Sequence, residues 1–239
     1  MRSIVKRGEP VELGQWKRDG RAAPQNLRYA YLSTAVKDKI KEALLNEQGF
    51  LCAYTLVRLK SLEDCHIEHV EPQNAAPGKD IDYGNMAACF PCDGGDVSHG
   101  YGAAIKAGTP VVLNVDFVTP HAPNCEQRFL FDDKGEINAI AGDAAAHQTI
   151  ETVKLNHKTL IEFRRSAIEA NGLAVSRRTT RTPRKLKSAA EARRFAQEVM
   201  RPDGKGQLSP FCVALAQVAL AFAEKEDARS QRMRGQRQV

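Results

Sequence analysis

Residues 65–92 read CHIEHVEPQNAAPGKDIDYGNMAACFPC, and the fold is decided by how this segment doubles back on itself. His66, Ile67, Glu68, His69 and Val70 make a short strand-like run, which Pro72 ends because proline cannot donate to a sheet ladder. Asn74, Pro77, Gly78, Asp80 and Asp82 supply turn chemistry across 73–82, so a hairpin or open loop leads into a second run at 83–88. A strand, loop, strand and helix in this order would bring Glu68, His69 and the residues after Cys92 into one cleft.

These residue types suit one chemistry. Cleaving a phosphodiester needs a water that loses a proton near neutral pH, and imidazole has the side-chain pKa closest to that task. His69 is the candidate base. Negative charge builds on the phosphorus oxygens and the departing oxygen, and a divalent cation on oxygen ligands such as Glu68 offsets it.

An acidic residue beside a histidine, an asparagine further on and a closing Cys-x-x-Cys together resemble an HNH nuclease. More specifically, the chain is similar to the retron-associated HNH endonuclease family, which includes the HNH partner of an ATPase in Septu-type anti-phage systems. The resemblance rests on EQGFLCAYT (47–55), CHIEHVEPQ (65–73), DYGNMAACFPC (82–92), CEQRFLFDDKGEI (125–137) and TIETVKLNHKTLIEFRR (149–165), in that order and spacing. It implies an α+β protein with a ββα-metal core in a mainly helical framework. It also implies Mg2+ or Mn2+ as cofactor and an ATPase of the ABC/SMC-like class as partner. Nucleic acid, DNA or RNA, is the implied substrate, with a retron reverse transcriptase and its multicopy single-stranded DNA as further partners. Carried over by position, the pattern makes His69 the general base, Glu68 a metal ligand and Asn85 the residue that braces the loop.

Two positions depart from the pattern. Asp93 stands where a His or Asn is usual after the second Cys; it can bind a cation, although its charge also repels a phosphate. His99, in the Gly-rich stretch after it, is the alternative third ligand. The first Cys-x-x-Cys of the usual zinc clamp is Cys52-Ala-Tyr-Thr55, and threonine is a poor structural zinc ligand. Either Cys65 or a histidine completes a site with Cys52, Cys89 and Cys92, or these are small buried thiols. The rival to an enzyme is therefore a degenerate HNH-fold subunit that binds nucleic acid or serves a defence complex structurally.

Composition bounds the remainder. The chain has 239 residues, six cysteines and a formal charge of +6. Irregular cysteine spacing argues against a secreted disulfide scaffold, and no apolar run approaches the roughly 18 residues of a membrane span. The cytoplasm is the expected compartment. The modest positive charge permits nucleic-acid binding without requiring it. No phosphate-loop or dinucleotide fingerprint occurs in the Gly-rich 93–108.

Four segments are expected. Residues 1–32, basic and broken by Gly and Pro, read as an irregular arm in which Trp16 is the anchor. Residues 33–172 read as the catalytic body. Within it, Ser33 or Thr34 caps a helix that Gly49 stops, with Lys37, Lys39 and Lys41 on a solvated face. Short strands follow at 111–115, 129–131 and 137–140, then two helices broken near Asn156. Arg128 either clamps a phosphate or pairs with a nearby carboxylate. Residues 173–187 form a basic linker in which Arg177, Arg178, Arg181, Arg184, Lys185 and Lys187 either neutralise phosphates or are a solvated connection between helices. Residues 188–239 form a helical extension opening on the capping box Ser188-Ala-Ala-Glu191 and ending in a disordered basic tail.

Overall fold

The computed structural model describes residues 1–173, 186 and 188–235. Helices and two small antiparallel sheets alternate along the chain, an α+β arrangement. The helices are α1 (Val11–Asp19), α2 (Thr34–Gln48), α3 (Ala103–Lys106), α4 (Ala144–Thr152), α5 (Lys158–Ala170), α6 (Ala189–Val199) and α7 (Cys212–Gly235). Strands β1 (His66–His69) and β2 (Met86–Cys89) pair in the register His66↔Cys89 to His69↔Met86. Strands β3 (Phe129–Phe131) and β4 (Ile137–Ala139) form the other sheet.

Local chemistry explains the helix ends. Ser33 Oγ accepts from Val36 N–H at the start of α2, and Gly49 ends it at φ 59°. A Cβ at Gly49 would lie 2.6 Å from Leu208 Cγ, so the position needs glycine for both its backbone angle and its space. Ser188 Oγ accepts from Glu191 N–H at the start of α6. Helices α4 and α5 break around Asn156, whose amide bonds both backbone groups of Ile137 at 2.9 and 2.8 Å.

The β1/β2 hairpin lies inside the protein. Helix α2 buries Ile40, Leu44 and Leu45 in the core that also holds Ile67, Met86, Ala87 and Ala88. At the end of α2 the Gln48 amide bonds both backbone groups of Ala88 at 2.8 Å, so a side chain takes the outer edge of β2. A second core joins α6 and α7 to Leu51, Leu56 and Ile168. Gln217 on α7 bonds the β3 backbone at Phe131 N and Phe129 O, both 2.9 Å, and Leu208 N–H reaches Gly49 O at 3.0 Å. The C-terminal helices are thereby docked on the body.

Four sequence expectations change. The N-terminal segment is not irregular throughout: it contains α1 and buries Ile4 and Leu13, while Trp16 packs against the main core as the anchor expected. Lys41 does not share a solvated face with Lys37 and Lys39; it is buried, and its ammonium pairs with Asp93 at 2.7 Å. Residues 111–115 make only a single bridge, Leu113 to Phe117. The basic tail continues α7 to Gly235, because Arg, Gln, Met and Ala are good helix formers. No helix among the described residues is long and apolar enough to cross a membrane.

Candidate active site

Strand β1 ends at a cleft of about 600 Å³ whose walls include Tyr29, His66, Glu68, His69, Asn74 and Asp93. His69 is held on several sides. Its Nε2 lies 2.8 Å from the Asp80 carbonyl, and its ring meets Tyr29 edge-on at 4.8 Å between centroids. A carbonyl can only accept, so Nε2 carries the hydrogen and Nδ1 keeps the lone pair. Burial lowers the His69 pKa below its ordinary value and outweighs the Asp80 contacts that raise it. The ring is therefore neutral near pH 7 and presents one basic nitrogen.

Asp80, in the turn after β1, organises this support. Its carboxylate accepts from Tyr29 N–H at 2.8 Å and from the Gln73 amide, with Arg28 Nε at 3.6 Å. Asn85 ties the far end of the hairpin: its Oδ1 accepts from Glu71 N–H at 2.8 Å and its Nδ2 donates to Glu71 O at 2.9 Å. Asn85 thus acts on backbone; it is absent from the cleft wall.

Glu68, next to His69 on β1, lines the same cleft. Its Oε1 accepts from Lys106 Nζ at 2.9 Å and from Tyr54 Oη at 3.1 Å. Lys106 is fully buried and also donates to His69 O at 3.2 Å. Burial, with the Glu68 charge beside it, holds Tyr54 well above the ordinary phenol pKa, so its hydroxyl remains a donor. Glu68 Oε2 faces His66 Nε2 at 3.6 Å. Burial lowers the His66 pKa, but Glu68 and the Pro91 carbonyl raise it by more, so the net direction is upward.

Of the other expected ligands, one shares the cleft with Glu68 and one does not. Asp93 stands at the cleft wall with its side chain 64% exposed and ion-paired to Lys41. His99 is outside the cleft wall; its ring packs on Phe90 and Tyr101, with centroids 4.9 and 4.6 Å away, and Nδ1 meets Asp96 O. Among the described residues no three His, Cys, Asp or Glu side chains group as a metal-holding set.

The four-cysteine zinc expectation meets the same difficulty. Cys52 and Cys89 share a hydrogen bond deep in the core. Burial raises Cys52, but bonds from Cys89, Thr55 and Phe90 N–H outweigh it and bring the thiol down to about 5, while Cys89 is held well above its ordinary value. Cys65, pushed up to about 11 by burial, points its thiol at Leu62 O, and Cys92 lies on the cleft wall. Among the described residues these sulfurs belong to no group that could hold a metal ion.

Arg128 takes the second of its two expected roles, pairing with a carboxylate rather than standing open to a phosphate. Its guanidinium grips Asp143 with two bonds of 2.6 Å, and Asp143 caps α4 by accepting from Ala146 N–H. That bidentate pair occupies the fork a phosphate would need. Arg177, Arg178, Arg181, Arg184, Lys185 and Lys187 lie outside the described residues.

Sequence reasoning missed Tyr54, His66, Asp80 and Lys106. Of these only His66 left a signal, since it stands two residues before Glu68 on a strand and so shares its face. The chain matches no family model and no curated protein.

Proposed function

We propose that the chain is a metal-dependent endonuclease of the HNH type, in which the β1/β2 hairpin and the residues after it serve as the ββα core. The observation that carries this reading is His69: a buried, neutral imidazole with its hydrogen committed to Asp80 O and its other nitrogen available in a cleft beside a carboxylate. In this reading Nδ1 takes a proton from a water as the water oxygen bonds to phosphorus, the ester P–O bond opposite breaks with its oxygen taking a proton from solvent, and Asp80 keeps the ring in that tautomer. Base assistance of this kind is worth about 10² to 10⁴ in rate.

The donor set near the base fits a divalent cation in one respect: Lys106 and Tyr54 are bonded to Glu68 Oε1, while Oε2 faces the His66 imidazole in the cleft. Such an ion, when bound, supplies positive charge to the phosphate oxygens. Tyr54 and Lys106 fix the carboxylate; Asn85 fixes the hairpin that carries it. The sequence resemblance, rather than the geometry, supports a role in anti-phage defence of the retron or Septu type, with an ATPase partner and, in a retron setting, reverse transcriptase and multicopy DNA. The basic residues of 177–187 would then add phosphate contacts that weaken with salt.

A second reading has its own support: Lys106 and Tyr54 occupy one oxygen of Glu68, and Lys41 takes Asp93, as in a degenerate HNH-fold subunit. A panel of duplex DNA, single-stranded DNA and structured RNA, with Mg2+ or Mn2+ and with or without the ATPase, separates the two. Cutting by the wild type that is lost in His69→Ala supports the enzyme. Absence of cutting in every arm, with His69→Ala assembling as wild type, favours the subunit.

A further inference from the structure

His66 and Glu68 face each other across the cleft at a spacing that suits an ion pair when the imidazole is protonated and a shared cation when it is neutral. His66 Nδ1 sits 2.5 Å from Pro91 O, and a carbonyl there requires Nδ1 to carry hydrogen. In the neutral ring Nε2 then presents its lone pair, the orientation that metal-binding histidines gain when the other nitrogen donates to a carbonyl. Nε2 stands 3.6 Å from Glu68 Oε2, beyond hydrogen-bond range. Two donors on one ion, with bonds of about 2.1 Å at a tetrahedral angle, are separated by about 3.4 Å. The other carboxylate oxygen, Oε1, is already held by Lys106 and Tyr54, so Oε2 is the atom free to turn toward a cation. Both residues line the cleft.

We propose that His66 Nε2 and Glu68 Oε2 form a two-donor seat for one divalent cation, with water completing its coordination. One imidazole nitrogen with one carboxylate oxygen suits Mn2+ or Zn2+ better than the harder Mg2+. The inference rests on the nuclease reading in that it names the cation's second protein donor, and it replaces Asp93 and His99 in that role. Lys106 limits the seat's net negative charge, so uptake is weak and selective by donor type.

The test uses the full chain with Mn2+ alone as probe. Electron paramagnetic resonance counts bound Mn2+, and spin-echo modulation reports whether an imidazole nitrogen is coupled to it. The expected result is about one bound equivalent with nitrogen coupling in the wild type. His66→Gln abolishes the coupling and weakens binding by about tenfold or more, while His69→Ala keeps the coupling. Absence of Mn2+ uptake at millimolar concentration overturns the proposal. Binding without nitrogen coupling in the wild type also overturns it, and that readout needs no variant to fold. Loss of the coupling in His69→Ala with retention in His66→Gln overturns it by moving the donor. Cleavage activity together with uncoupled Mn2+ sinks this inference and leaves the nuclease; coupled Mn2+ without cleavage on any substrate does the reverse.

Discussion

Replacing Lys106 by Met tests whether the ammonium holds the site together. Lys106 is fully buried and Glu68 is 8% exposed, with 2.9 Å between Nζ and Oε1. Methionine fills much of the lysine stem but leaves the Glu68 carboxylate with Tyr54 as its remaining donor at Oε1. Breaking a buried pair from one side costs about 3–5 kcal/mol, because a charge stays behind without its partner. In a chain of this size each kcal/mol lowers Tm by about 2–4 °C, so the lower bound corresponds to a drop of about 6–12 °C. Adding Glu68→Gln removes the stranded charge while keeping an acceptor for Tyr54, so the double variant recovers to within about 1–2 kcal/mol of wild type. Urea unfolding followed by circular dichroism measures all four species as a cycle, with an expected coupling of about 2 kcal/mol or more. A single-variant loss under about 1 kcal/mol, or strict additivity of the two changes, would refute the view that this pair is a coupled buried unit.

The remaining predictions concern pH, an ion pair and a close approach. Burial with Lys6 nearby pushes His121 down to about 4 from its ordinary 6.5, so the unfolded chain binds the extra proton first and stability falls as pH drops from 6.5 toward 4. Between pH 7 and 4.5 this group removes about 2 kcal/mol, and urea titrations should show a shallower acid loss in His121→Gln; an identical pH slope counts against it. Arg128→Ala should cost about 1–2 kcal/mol through its bond to the α4 cap and leave nucleic-acid affinity by fluorescence anisotropy unchanged. A clear affinity loss in a folded Arg128→Ala protein would return that arginine to the interface. Gly135 has φ 89°, and a Cβ there would meet Ile161 O at 2.4 Å; Gly135→Ala should lose more than about 2 kcal/mol, read as a drop in Tm.

Features carried by neighbouring residues were legible in the sequence. The strand at His66, the hairpin return at Met86, the Ser33 and Ser188 caps, the Gly49 stop and the break near Asn156 each follow from a few adjacent side chains. Long-range pairings were not. Lys106 meets Glu68 across 38 residues and Lys41 meets Asp93 across 52, and a lysine in sequence carries no sign that it will be buried. Arg128 looked equally able to hold a phosphate or a carboxylate; only the fold brings Asp143 to it. The broken, basic N-terminal segment hides the fact that Ile4 and Leu13 belong to the core. Helix α7 outran its expected end because propensity continued after amphipathic patterning stopped.

The Gln48 amide on Ala88 has a consequence for assembly. A two-stranded sheet ordinarily offers its outer strand as a template on which another chain can lie. Here one side of β2 faces β1, and on the other a helix-borne amide mimics the missing strand at Ala88, with Ala53 N–H also reaching Ala88 O at 3.1 Å. Strand addition at that position is blocked from within the fold. The outer edge of β2 at Ala88 is thus closed to another chain's backbone by this protein's own side chain and loop.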